Sequence, residues 1–110
     1  MRAVGPAFEG VMNVDFTQFA VNDRYAPGAA PFAETYRRRY GSEPRSGHSL
    51  ANYFGGRIFL DAIQRAGAMD RERIRTAVLG TDIAEGTTAT GWGVRFDERS
   101  QNQRARPLLL

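Results

Sequence analysis

The spacing of apolar residues predicts helices in the middle of the chain and short strands near its two ends. Through the central part, apolar side chains recur at intervals of three and four residues, which is the period of a helix with a buried face. Nearer the ends they alternate with polar residues, as in a strand. The pattern predicts helices over residues 31–40, 48–66 and 70–79, and strands near residues 11–16 and 92–97. The last residues, RARPLLL, predict a further strand.

Signals at the helix ends agree with these boundaries. Pro31 suits the first helical position, where a missing backbone N–H costs nothing. Gly41, Gly67 and Gly80 each follow a predicted helix, and glycine commonly ends helices. Asp70 is typical of an N-cap, because its carboxylate can accept a hydrogen bond from a free N–H group in the first turn. Three separate helices are therefore predicted.

The helix predicted over residues 48–66 is apolar on more than one side. Asp61 stands four positions from both Arg57 and Arg65 on its polar face. The remaining surface is broadly apolar and includes Leu50, Tyr53, Phe54, Ile58, Phe59, Ala62 and Ile63. Such a helix is covered by neighbours or packs on a sheet. The pair Gly55–Gly56 in its middle predicts close backbone packing or a kink.

Length and element order favour an α/β arrangement. The 110 residues are enough for one modest domain with a single core, and the helices lie between strands at both ends of the chain. There are no cysteines, which excludes disulfides and thiolate metal sites. No stretch is long and apolar enough to cross a membrane. The first residues, MRAVGPAFEGVMNVDF, lack the basic and apolar leader of a secretory signal, so none is expected within this chain.

The charge does not favour a nucleic-acid site. The formal net charge is +3, and all fifteen basic residues are arginine. Acidic residues are spread through the same segments, so no strongly basic patch is expected. The segment YRRRYG could hold a phosphate backbone and stack bases. On a helix, however, its arginines fan around more than one face while the tyrosines turn inward, so a solvated helix face is the favoured interpretation.

The residues that could carry chemistry do not form a catalytic pattern. His48 is the only histidine, and a catalytic base needs a nucleophile and an orienting acid beside it. Ser46 and Ser49 are close in sequence, but no Gly-x-Ser-x-Gly turn is present. The carboxylates are scattered rather than clustered as metal ligands, and no glycine-rich segment matches a phosphate-binding loop. No catalytic residue, metal or cofactor is therefore expected.

Five short pieces of the sequence carry a family resemblance. In order they are Glu9-Gly10-Val11; Phe32 with Tyr36, Tyr40-Gly41 and Pro44; Tyr53 followed by LDAIQRAG; Asp70 followed by Ile74 to Val78; and GWGVRFDERSQNQRARP. Together they cover nearly all of the chain. Their order and spacing resemble the C-terminal part of periplasmic substrate-binding proteins of the leucine/isoleucine/valine-binding type, which are the receptor components of ABC importers.

The resemblance implies a type I periplasmic-binding-protein fold, in which hinge strands join two α/β lobes and the ligand lies between them. The chain would form part of one lobe, with its helices packed on a mostly parallel sheet. Residues 1–110 would be an incomplete C-terminal segment, with a hinge strand near 11–16 and a return strand near 92–97. The implied function is non-catalytic binding of branched-chain amino acids or similar small molecules in the periplasm. The implied protein partner of the full-length receptor is a membrane permease, with no role for nucleic acid.

The resemblance also implies which residues approach the ligand. In this family the helix that begins with the tyrosine motif approaches the cleft with its first turns. The matching positions here are Leu50 and Tyr53, with His48 as a looser candidate. The other interpretation is that all three are ordinary core residues. The chain departs from the family at Phe54-Gly55-Gly56, where Asp-Ala or Ala-Ala is more usual after the tyrosine, and this departure bears on the role of Tyr53.

Two other functions fit parts of the sequence. The same fold could serve as a cytoplasmic ligand sensor, which would be encoded without a leader or fused to a signalling module. The chain could also be an arginine-rich binder of anions or nucleic acid, whose affinity would fall steeply with salt. The even distribution of charge argues against this third function.

Overall fold

Three helices and four very short strands make up the regular structure of the described residues. The computed structural model describes residues 5–15 and 24–109. Helix α1 spans Ala29–Tyr40, α2 spans Gly47–Ala66 and α3 spans Arg71–Leu79. The strands are β1 at Val14–Asp15, β2 at Asp82–Ile83, β3 at Val94–Arg95 and β4 at Leu108–Leu109. A 3-10 helix at Gly5–Phe8 precedes β1. Phe16, the last residue of the predicted first strand, lies outside the described residues.

The three predicted helices are confirmed, with small shifts at their starts. Helix α1 begins at Ala29, so Pro31 lies in its first turn rather than at its first position. The proline is tolerated there because the first four N–H groups of a helix have no partner within it. Asp70 is the N-cap of α3, and its Oδ1 accepts a hydrogen bond of 2.9 Å from the backbone N–H of Arg73. Gly41 ends α1 with a left-handed φ of 68°, as predicted.

Arg65 joins α2 to α3, which pack against each other. Its Nη1 donates to the backbone carbonyl of Ala77 at 2.9 Å, and its Nη2 donates to the hydroxyl of Thr81 at 2.8 Å. Its Nε donates to the carboxylate of Asp61 at 2.7 Å. Asp61 therefore pairs with the arginine that follows it. Arg57, which precedes Asp61 by the same interval, donates instead to the hydroxyl of Tyr53 at 3.3 Å.

The best-packed part of the described chain lies where α1 and α2 begin. Ala26, Ala29 and Leu50 are fully buried there. The partly buried Phe32, Tyr25 and Ala89 pack around them. Leu50 is the only one of the three buried residues with a large side chain, so most of the apolar area removed from water at this point depends on it.

The strands pair in two antiparallel ladders. Val14 faces Leu109 and Asp15 faces Leu108, which brings the two ends of the described chain together. The second ladder joins β2 to β3, with Ile83 opposite Val94. The α/β class is confirmed, and so is the strand predicted in the last residues. The mostly parallel sheet is not found among the described strands, because both ladders join strands that run in opposite directions.

Strand β2 was not predicted, because Ile83 is a single apolar residue in a polar, glycine-rich segment that reads as a loop. It forms because Val94, fully buried on β3, provides a partner for it. The predicted return strand over residues 92–97 is shorter than expected. It consists of Val94–Arg95 and an isolated bridge between Phe96 and Asn102.

The motif FDERSQN forms a tight turn held by two side chains. Oδ1 of Asp97 accepts hydrogen bonds from the backbone N–H groups of Arg99 and Gln101, at 2.9 and 2.8 Å. Asn102 donates to the carbonyl of Gly93 and accepts from the N–H of Arg95. Short polar side chains that satisfy nearby backbone groups are typical of turns. This part of the family motif is thus explained by turn formation.

Two neighbouring apolar residues of α2 keep much of their surface exposed among the described residues. Phe59 and Leu60 are 51% and 66% exposed. The pair Gly55–Gly56 is also open, since a Cβ atom added at either position would meet no atom within 4 Å. The predicted close packing at this pair is therefore not found in the described chain. The described residues contain no helix that combines the length and apolar character needed to cross a membrane.

Candidate functional site

A wide groove runs between α1 and α2 and is closed on one side by the loop around Thr88. It has a volume of about 1010 Å³ and is open to solvent along its length. Helix α1 contributes Phe32, Tyr36 and Tyr40, which recur every fourth residue and therefore share one face. Helix α2 contributes Tyr53 and residues one and two turns further along. The groove thus lies between two helices that meet near their starts, at Ala29 and Leu50.

Four aromatic rings form a continuous row along the groove. The centroids of Tyr40 and Tyr36 are 4.6 Å apart, and those of Tyr36 and Phe32 are 6.0 Å apart. The row then crosses from α1 to α2, where the centroids of Phe32 and Tyr53 are 4.9 Å apart. All three pairs are tilted, with interplanar angles of 42° to 48°, within the range in which aromatic pairs attract. A flat apolar group could lie against this row.

An arginine stands at each end of the ring row. The guanidinium carbon of Arg39 lies 5.8 Å from the ring centroid of Tyr40, within the range of a cation–π contact. At the other end, Nη1 of Arg57 donates to the hydroxyl of Tyr53. Within residues 5–15 and 24–109, neither arginine forms an ion pair with a carboxylate. The acid in the groove lining, Asp61, is paired with Arg65.

The three residues predicted to approach a ligand lie in different environments. Tyr53 lines the groove and is 43% exposed. His48 is exposed in the first turn of α2, and its backbone carbonyl accepts a hydrogen bond from Asn52 at 3.0 Å. Leu50 has no exposed surface and belongs to the core at the start of α2. In this chain Leu50 is a core residue. The ligand roles of all three residues stay predictions.

The sequence did not identify the other members of the groove. Tyr40 was expected to turn inward, yet it is 60% exposed, with Tyr36 and Arg39 beside its ring. Arg39 and Arg57 were assigned to solvated faces. A signal for Arg57 was present in its spacing of four residues from Tyr53, which places the two side chains together on a helix. No comparable signal joins Arg39 to α2, because that relation depends on helix packing.

A separate cluster fixes the segment that leads into β4. The backbone carbonyl of Arg106 accepts hydrogen bonds from the indole N–H of Trp92 at 2.6 Å and from the hydroxyl of Tyr25 at 3.4 Å. The guanidinium of Arg106 pairs with Glu85 at 3.3 Å. Burial raises the pKa of Tyr25 above its usual value; Glu85 adds to the rise and Arg106 opposes it. The hydroxyl therefore stays protonated and available as a donor.

The groups that line the groove are suited to contact with a small molecule. The described residues contain no group of three His, Asp or Glu side chains close enough to hold a metal ion. The lining offers aromatic faces, hydroxyl groups and two guanidinium groups. Such groups can bind and orient a small molecule, because aromatic faces accept apolar surface and guanidinium groups bind anions.

Comparison with known proteins relates nearly the whole chain to one family. The model of the periplasmic binding protein family matches residues 1–109. The Leu/Ile/Val-binding protein homolog 7 of Brucella suis is 45% identical over 104 residues, which are 94% of this chain and 26% of that protein. The Leu/Ile/Val-binding protein homolog 8 of Brucella abortus is 44% identical over 97 residues, which are 88% of this chain and 24% of that protein.

A solved structure agrees with the sequence relatives. The crystal structure of the leucine binding protein LivK from Thermotoga maritima superposes with a TM-score of 0.66 at 29% sequence identity. The match covers 91% of this chain and 27% of that structure. The chain thus spans about a quarter of the length of the proteins it matches.

Proposed function

Because the chain belongs to the periplasmic binding protein family, we propose that it is part of the receptor component of an ABC importer. Its relatives are named as binding proteins, and we propose no catalytic activity for the chain. The observation that carries the proposal is the family match over residues 1–109, which leaves no large part of this chain for another function. The partners of the whole receptor would be a small-molecule ligand and a membrane permease, and its location would be the periplasm.

The proposed ligands are branched-chain amino acids or similar small molecules. The support comes from the relatives, which are named as Leu/Ile/Val-binding homologues and as a leucine binding protein. In this chain, His48 and Tyr53 are exposed at the start of α2 and are proposed to contact the ligand. Leu50, the third predicted residue, is fully buried in the same turns, and we propose that it contributes by holding the start of α2 in place. The rest of the binding site would come from parts of the receptor that this chain does not include.

The antiparallel pairing of β1 with β4 supports the proposed hinge. It places Val14–Asp15 next to Leu108–Leu109, so the chain enters and leaves this region side by side. Two adjacent strands that enter and leave one lobe together can act as its connection to a second lobe, around which closure takes place.

Calorimetric titration with leucine tests the proposed function. The two-lobed receptor that contains this segment should bind leucine, isoleucine or valine with micromolar affinity or better. The isolated 110-residue chain should not bind leucine tightly, because most of the groups that would surround the ligand are absent. Micromolar binding of leucine by the isolated chain would contradict the proposal that most of the ligand site comes from other parts of the receptor. Failure of the whole receptor to bind any of the three amino acids would contradict the proposed ligand class.

A further inference from the structure

We infer that the indole of Trp92 is a releasable clamp on strand β4, which it holds through the backbone carbonyl of Arg106. Release of this contact would free β4 together with its partner β1, while the helices stay folded. The clamp would then set how firmly the two adjacent strands are held to the rest of this chain. Its use in lobe closure rests on the proposed function, whereas the clamp itself does not.

The ladder of β1 and β4 has little stability of its own. It contains two residue pairs, Val14 with Leu109 and Asp15 with Leu108. Val14 and Leu109 remain 65% and 67% exposed, so the ladder removes little apolar area from water. A two-stranded ladder is at best marginally stable by itself. Contacts outside the ladder are therefore needed to hold β4 in place.

The backbone of Arg106 and Pro107 separates the ladder from the clamp. A carbonyl oxygen can accept two hydrogen bonds, and at Arg106 both come from side chains, those of Trp92 and Tyr25. Pro107 has no N–H to donate. Neither group is left for pairing with β1, and β4 begins at Leu108. The clamp and the ladder thus hold neighbouring parts of the chain through different groups.

The indole is the strongest of the contacts to Arg106. Nε1 of Trp92 lies 2.6 Å from the carbonyl oxygen. The hydroxyl of Tyr25 lies 3.4 Å away, which is longer than usual for a hydroxyl donor. The ion pair between Arg106 and Glu85 joins side chains that are 56% and 41% exposed, so solvent screens it. Loss of the indole N–H should therefore loosen β4 more than loss of either other contact.

The base of the clamp is fixed to the fold. The backbone carbonyl of Trp92 accepts a hydrogen bond of 2.6 Å from the hydroxyl of Thr88, and its N–H donates to the hydroxyl of Thr90 at 3.2 Å. Thr90 is buried, and so is Val94 at the start of β3. Arg106, in contrast, is exposed. A contact between a fixed base and an exposed segment can open locally, without unfolding of the base.

Hydrogen exchange of the 110-residue chain tests the clamp, at a concentration where the chain sediments as one species. Exchange is followed by mass spectrometry of peptides. Trp92→Phe keeps an aromatic ring and removes the N–H donor. We expect peptides that contain β4 to exchange about fivefold to tenfold faster in this variant, which corresponds to the loss of one hydrogen bond. Peptides from the middle of α2 should change by less than about twofold, because the opening is local.

Two tyrosine variants provide a second test and a control. Tyr25→Phe removes the longer hydrogen bond to the same carbonyl and should accelerate exchange in β4 by about twofold to threefold. Tyr36→Phe is the control, because it removes a hydroxyl from a ring that packs between Phe32 and Tyr40 on α1. It should leave exchange in β4 unchanged. If Trp92→Phe did not fold, the comparison of the two tyrosine variants would decide.

Three results would overturn the inference. The first is unchanged exchange of β4 in a folded Trp92→Phe variant. The second is equal acceleration of β4 and α2 in that variant, which would make Trp92 a general stabilising residue rather than a clamp. The third is an equal effect of Tyr25→Phe and Tyr36→Phe on β4. The measurement involves no ligand, so it can fail while the whole receptor binds leucine, and it can succeed where leucine binding fails.

Discussion

Replacing Leu50 with alanine is expected to lower the free energy of unfolding by about 2–5 kcal/mol, the range for a buried leucine truncated to alanine. Leu50 is fully buried and is the one large side chain among the three buried residues of its cluster. The two others, Ala26 and Ala29, are too small to fill the space that the substitution would leave. Because small domains are only marginally stable, a loss of this size would leave much of the chain unfolded.

Urea denaturation followed by circular dichroism measures the effect of Leu50→Ala. Leu50→Met is the control, since it keeps the apolar volume and should cost less than about 1.5 kcal/mol. The pair of variants separates the two interpretations of Leu50. If Leu50→Ala changed stability by well under 1 kcal/mol, the core role would be wrong, and a contribution of Leu50 to the ligand surface would become the better explanation.

Replacing Gly91 with alanine is expected to cost about 2–5 kcal/mol, for two separate reasons. The φ angle of Gly91 is 76°, in the left-handed region where a side chain costs about 1–2 kcal/mol. The new Cβ would also lie 2.5 Å from the backbone carbonyl oxygen of Tyr25 and against its ring, so one of the two segments must move. Such overpacking typically costs about 1–3 kcal/mol. The displaced Tyr25 belongs to the buried cluster around Leu50.

Gly41→Ala is the matched control for Gly91→Ala. Gly41 has a similar φ of 68°, but a Cβ atom added there would meet no atom within 4 Å. Gly41→Ala should therefore lose stability only through the unfavourable backbone conformation. The difference in the free energy of unfolding between the two variants measures the contact with Tyr25. Equal losses of stability in chemical denaturation would contradict the close approach of Tyr25 to Gly91.

The helices could be predicted because their signals are local. The four-residue spacing of Phe32, Tyr36 and Tyr40 lies within one element, and the hydrogen bond from Arg73 to Asp70 joins residues three positions apart. Signals of this kind depend little on the rest of the fold, and the structure confirms them. The turn at Asp97 is of the same type, since its hydrogen bonds connect residues within a few positions of one another.

The groove and the second ladder could not be predicted because they join residues that are distant in sequence. Phe32 meets Tyr53 only when α1 and α2 pack. Ile83 becomes part of a strand only because Val94 lies opposite it. The pair Gly55–Gly56 is a signal whose packing partner could not be identified from the sequence. A glycine pair in a helix indicates that something approaches closely, but in this chain the space beside it is open.

The outer face of α2 provides the most direct test of whether this chain is part of a larger lobe. Phe59 and Leu60 lie exposed beside the open glycine pair, and such an apolar surface favours association when its natural cover is absent. The measurement is sedimentation velocity of the 110-residue chain over a range of concentrations, with the double variant Phe59→Asp, Leu60→Asp as the control. The expected result is reversible self-association of the unaltered chain and a monomeric double variant. A chain that stays monomeric at all concentrations and unfolds cooperatively would contradict the partial-lobe assignment.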